Sequence, residues 1–133
     1  MHNLHPQVEN PHLLSPVALA FVGDAVWEIL VRERLLRGGT LPAETLHNHA
    51  VALVNAAAQA QVYAVLEPEL TPRETDILKR GRNADLRTPK SCSMADYRKA
   101  TAVEALFGYL YLNGEIDRLQ QLYETAQHAL NAR

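Results

Sequence analysis

The 133-residue sequence contains a single cysteine, Cys92. That excludes a disulfide framework and a cysteine-based zinc site. No apolar run approaches the roughly 20 residues that a membrane span needs. Met1 to Pro11 is polar, with His2, Asn3, His5 and Glu9, so no signal peptide is expected. The expectation is a soluble cytoplasmic protein without a membrane partner. Glycine-rich loops of the G-x-x-x-x-G-K-[ST] or G-x-G-x-x-G type are missing. The histidines lack metal-ligand spacing: His47 and His49 are two apart, which points them to different sides of a helix. Cys92, Ser91 and Ser93 have no histidine nearby in sequence, so nucleophilic catalysis by thiol or hydroxyl has no support.

Hydrophobic residues make up 47% of the chain, enough for one globular domain with one core. The domain is expected to span 1–133, with 1–14 as a flexible N-terminal tail. Its pattern is helical throughout, without a convincing strand or repeat, and the fold class is all-α. Ser15-Pro16 is a helix start, and Gly38-Gly39 stops that helix after Arg37. Its first half, apolar nearly all round, is expected to be deeply buried, in the core of the chain or against a second subunit. Ala43 to Leu66 reads as one bent helix or two. Thr71-Pro72-Arg73-Glu74 is a capping box with proline at the first helical position, opening a short helix that ends near Arg82. Asn83 to Met94 reads as a loop. Helices are expected from about Ala95 to Asn113, stopped by Gly114, and from Glu115 to Leu130.

The formal net charge of −2 does not advertise a polyanion partner, but its distribution is uneven. Between Arg73 and Lys99, eight bases and four acids give +4, leaving −6 for the remainder. Within this block, KRGRNADLRTPKS (Lys79 to Ser91) offers Lys79, Arg80, Arg82, Asn83, Arg87, Thr88 and Lys90 as donors for phosphate oxygens and ribose hydroxyls. It contains no aromatic, which favours tracking a duplex backbone over stacking on splayed bases. A solvated, charged helix and loop is the plainer alternative.

VALAFVGDAVWEILV (Val17 to Val31) places Gly23-Asp24 inside an apolar run. Glycine within a helix costs about 1 kcal/mol relative to alanine, and an unpaired buried carboxylate costs more. Glu104, in KATAVEALFGYLYL, is a second acid inside an apolar helix. Each acid alone could be a salt-bridge partner or a capped core residue. Brought together, they would form an oxygen-rich site for a hard cation such as Mg²⁺, which keeps several waters and needs only one or two carboxylates. Glu28 lies at i+4 from Asp24 and shares its face. It either extends the metal site, directly or through a water, or forms a surface ion pair, with Arg32 as the candidate.

Three blocks, LAFVGDAVWEILVRERLL, KRGRNADLRTPKS and YRKATAVEALFGYLYL, together resemble the ribonuclease III fold. More closely they resemble Mini-ribonuclease III, the short form without a double-stranded-RNA-binding domain. The resemblance runs from about Leu19 to Tyr123. It implies an all-α homodimer with metal-dependent endonuclease activity on double-stranded RNA, usually the paired ends of the 23S ribosomal RNA precursor. Asp24 and Glu104 match the catalytic, metal-binding acids, with Mg²⁺ as cofactor and Mn²⁺ as a substitute. The Lys79–Lys90 donors match the RNA-contacting surface. Full-length ribonuclease III carries two further acids, where this sequence has Ala20 and Thr101. Mini-III sequences share this reduction, and Thr101 becomes a candidate for contacting the metal site through another group. A non-catalytic RNA-binding or ribosome-assembly module on the same fold is the alternative, and a helical interaction protein without an RNA role is the third reading. A ribosomal protein is a further candidate partner, because no double-stranded-RNA-binding domain is visible.

Overall fold

The computed structural model describes residues 8–37, 42–46, 55–85, 87 and 92–131. Among them are five long helices and no strand: α1 (Pro16–Arg37), α2 (Ala56–Leu66), α3 (Pro72–Arg82), α4 (Met94–Leu112) and α5 (Ile116–Asn131). Short 3-10 turns cover Pro11–Leu13 and Glu67–Glu69. No helix among the described residues is long and apolar enough to cross a membrane.

Local chemistry sets the helix ends. The Ser15 hydroxyl accepts from the Ala18 amide at 3.1 Å, and Pro16 opens α1. The capping box expected at Thr71 is complete: Glu74 N–H donates to the Thr71 hydroxyl at 3.2 Å, and Thr71 N–H donates to Glu74 Oε1 at 3.0 Å. Gly114 takes a left-handed φ of 73° after α4. Its N–H donates to the Tyr111 carbonyl at 3.1 Å, and Glu115 N–H donates to the Leu110 carbonyl at 2.9 Å, a Schellman closure. Residues 43–46 are helical and α2 begins at Ala56. The join expected within 43–66 lies outside the described residues.

Helix α4 is the axis of the fold. Its residues Ala100–Val103 and Ala105–Leu110 are all buried, and α1, α2, α3 and α5 pack around it. A helix apolar on every side requires such a position. Trp27 of α1 is fully buried and meets Phe107 of α4 edge-on, with ring centroids 5.2 Å apart, and Tyr123 of α5 at 5.3 Å. These contacts bind three helices through one indole. Glu74 of α3 is also buried, and Arg118 of α5 grips it through Nε at 2.9 Å and Nη2 at 2.8 Å.

Within this chain α1 buries one side only, and the expected burial of Asp24 needs correction. The first half of α1 is not buried all round: Leu19, Ala20, Gly23, Val26 and Trp27 face the core, while Val17, Phe21, Ala25 and Ile29 are exposed. The outward stripe repeats every four residues, so α1 is apolar on two sides and packs within this chain on one. Asp24 lies on the outward side and is exposed. Its carboxylate therefore does not carry the burial cost that the surrounding apolar sequence implied.

The end of the stretch expected as a tail has defined contacts. Pro11 is buried, and Arg80 of α3 donates to the carbonyls of His12 at 2.8 Å and Leu14 at 2.9 Å.

Candidate active site

Gly23 and Gly108 explain how α1 meets α4. A Cβ on Gly23 would collide with the Glu104 carbonyl and lie 2.9 Å from the Gly108 nitrogen. A Cβ on Gly108 would collide with the Leu19 carbonyl and lie 2.9 Å from the Gly23 nitrogen. Only residues without a Cβ allow the two backbones so close. The helical cost of Gly23 is thus offset by an approach that brings residue 24 of α1 beside residue 104 of α4.

Asp24 and Glu104 consequently lie within hydrogen-bonding reach of each other. Burial, reinforced by the neighbouring Asp24 carboxylate, pushes the Glu104 carboxyl up to about 8, and the Gln59 side chain opposes that rise. Neither acid is in an ion pair among the described residues, where the pairs are Arg34–Glu124 and Glu74–Arg118. Two acids meet without a counter-charge. A hard cation with several waters of its own fits such a donor set.

The other expected site residues separate into groups. Glu28 is partly exposed one turn beyond Asp24 and forms no ion pair with Arg32. No cluster of three or more His, Cys, Asp or Glu suited to a metal occurs among the described residues, so Glu28 does not complete a carboxylate triad. Ala20 and Thr101 are both buried, and the Thr101 hydroxyl donates to its own helix at the Tyr97 carbonyl, 2.9 Å away.

Lys79, Asn83 and Arg87 are exposed. Arg80 is occupied with the His12 and Leu14 carbonyls. Arg82 donates to the Tyr63 hydroxyl at 2.9 Å, and that hydroxyl donates to Glu67 at 3.1 Å. Thr88 and Lys90 lie outside the described residues.

One neighbour of the acids was missed in the sequence. Gln59 of α2 is only 2% exposed and shares with Glu104 the wall of an open cleft of about 760 Å³. Its signal was present: Gln59, Val62, Tyr63 and Leu66 follow i, i+3, i+4, i+7 spacing, so a glutamine occupies a core-facing position.

The Ribonuclease III domain family model matches residues 17–115, which include both acids. A Mini-ribonuclease 3 of Symbiobacterium thermophilum is 46% identical over 121 residues, covering 90% of this chain and 93% of the relative. A Mini-ribonuclease 3 of Gloeobacter violaceus is 50% identical over 109 residues, covering 80% and 77%. The crystal structure of protein FN1578 from Fusobacterium nucleatum superposes with a TM-score of 0.77 at 34% identity, covering 82% of this chain and 84% of that one. The match to the family model, the extent and identity of the relatives and the shared fold place this chain in the Mini-ribonuclease 3 group of the ribonuclease III family.

Proposed function

We propose that this protein is a ribonuclease and, more finely, a Mg²⁺-dependent endonuclease of double-stranded RNA that trims the 23S ribosomal RNA precursor in the cytoplasm. The observation that carries the reading is the meeting of Asp24 and Glu104 without a basic partner. Family membership supports the ribonuclease part of the reading.

Asp24, exposed on α1, and Glu104, partly buried on α4, would hold the cation between them. Bound Mg²⁺ supplies charge stabilisation at the scissile phosphate and activation of a water; Mn²⁺ can replace it. Asp24, on the exposed side of α1, would meet the substrate, while Glu104 is anchored by the core helix. Lys79, Asn83 and Arg87 are available for phosphate and ribose contacts; Arg82, and Thr88 and Lys90 outside the described residues, are assigned the same role from the sequence. Arg80 supports that surface from beneath by fixing His12 and Leu14.

The exposed stripe of Val17, Phe21, Ala25 and Ile29 supports a homodimer. Phe21 is 82% exposed and Val17 and Ile29 each 47%, so the stripe is a patch and not a single surface hydrophobic. A two-fold pairing through α1 covers the stripe and gives two acid pairs, one for each strand of a duplex.

The test is to incubate the protein with a 23S precursor stem, and with either strand of that stem alone, in Mg²⁺ or EDTA. Cutting of the duplex only, in Mg²⁺ only, supports the reading. Salt-sensitive binding without cutting in any condition favours a non-catalytic RNA-binding module, the reading motivated by the absent acids at Ala20 and Thr101. A ribosomal protein partner is supported if its addition restores cutting of a stem that is otherwise left intact.

A further inference from the structure

Side chains from two other helices reach the Glu104 carboxyl of α4: Asp24 from α1 and Gln59 from α2. Gln59 lies near enough to Glu104 to favour its ionised form. Its Nε2 is nevertheless fully buried and completes no hydrogen bond. An orphaned buried amide donor is destabilising, and a hydrocarbon side chain of the same size would fill the space without that cost. Every other residue at the matching positions of this face is apolar or aromatic: Val62, Tyr63 and Leu66. Two acids of α4, Asp96 and Glu104, line the same cleft as Gln59, and Glu104 is the one its side chain reaches, with carboxylate acceptor capacity to spare.

We propose that Gln59 is a positioning residue for Glu104, its Nε2–H donating to the Glu104 carboxylate and fixing the orientation in which that group, with Asp24, holds the divalent cation. The inference rests on the reading of the acid pair given above and adds a residue to it. Outer-shell partners of metal-binding carboxylates commonly contribute 10–100-fold to affinity or activity. Gln59 touches neither RNA nor cation in this arrangement; it acts through Glu104.

The test compares Gln59→Met with wild type as full chains. Methionine keeps the volume and removes the amide. The Tm in EDTA should rise by roughly 3–6 °C, because the orphaned donor is gone. Mg²⁺ affinity measured by calorimetry should fall about tenfold or more, kcat should fall with it, and KM for duplex RNA should stay constant. A residue that only fills the core would change Tm and leave Mg²⁺ affinity and kcat alone, and that result overturns the proposal.

A second measurement needs no folded variant. In ¹⁵N-labelled wild type, the Gln59 side-chain amide signal should shift downfield and become protected from exchange when Mg²⁺ is added. An unchanged signal at saturating Mg²⁺ overturns the proposal whatever Gln59→Met does. Glu104→Gln is the control for the underlying reading. If it binds Mg²⁺ like wild type, the acid pair is not the cation site, and the proposal falls with it. If it loses Mg²⁺ while Gln59→Met keeps it, the proposal alone fails.

Discussion

Raising the pH of the metal-free protein should weaken its fold through Glu104. In the unfolded chain this carboxyl titrates near 4.5, and in the folded chain burial and the Asp24 carboxylate move it to about 8. A folded-state value above the unfolded one means that the stabilising contribution is complete below about 4.5. It is lost as pH rises toward 8, because the folded state must hold a proton that the unfolded state has released. Each pH unit inside that window costs about 1.4 kcal/mol, so the step from pH 5 to 7.5 is worth on the order of 3 kcal/mol. That is a large share of the ~5–15 kcal/mol typical of a domain. Urea unfolding in EDTA at several pH values, for wild type and Glu104→Gln, isolates the contribution. The wild-type curve should drop relative to the variant across the window, and Mg²⁺ should restore it above pH 7 by binding the ionised pair. Parallel curves for the two proteins would refute the reasoning.

Further substitutions test other parts of the structure. Gly23→Ala places a methyl group against the Glu104 carbonyl and the α4 backbone; it should destabilise by about 1–3 kcal/mol despite alanine's better helix propensity, measured by urea midpoint, and should reduce Mg²⁺ affinity by moving Asp24 from Glu104. Lys79→Ala or Arg87→Ala should lower the salt dependence of RNA binding by about one unit of log–log slope each with Tm unchanged, whereas Arg80→Ala should lower Tm through loss of the His12 and Leu14 contacts. Arg118→Leu should cost about 3 kcal/mol by leaving Glu74 buried without its ion pair. Burial raises the Glu74 carboxyl, but Arg118 and the Thr71 amide outweigh it and hold the group below its usual value. Wild type should therefore lose stability as pH falls below about 4.5, and the variant should lose less of it on that acid side.

The helix ends were legible because they depend on neighbours in sequence. Ser15-Pro16, the Thr71–Glu74 box and Gly114 carry their own hydrogen-bond solutions, and the structure uses all three. The meeting of Asp24 with Glu104 spans 80 positions. Apolar surroundings and the family resemblance suggested it, and Gly23 and Gly108 provide the physical means.

The burial of Asp24 was misread because periodicity cannot distinguish a helix face packed within the chain from an apolar face left outside it. Val17, Phe21 and Ile29 look like core residues in one dimension. Arg80 looked equivalent to Lys79 within the basic block, yet its guanidinium reaches backbone carbonyls of residues almost 70 positions earlier. The grip of Arg118 on Glu74 was invisible for the same reason, since nothing local marks a charge whose partner lies on another helix.

The most direct measurement is cleavage of one long RNA duplex by wild type, Asp24→Asn and Glu104→Gln, side by side, with Mg²⁺ or EDTA. The account predicts cutting by wild type with Mg²⁺, none in EDTA, and a loss of at least a hundredfold in both variants while their helical spectra stay native. Cutting at the wild-type rate by either variant would contradict it, because the paired carboxylates of α1 and α4 would then not be the site of the chemistry.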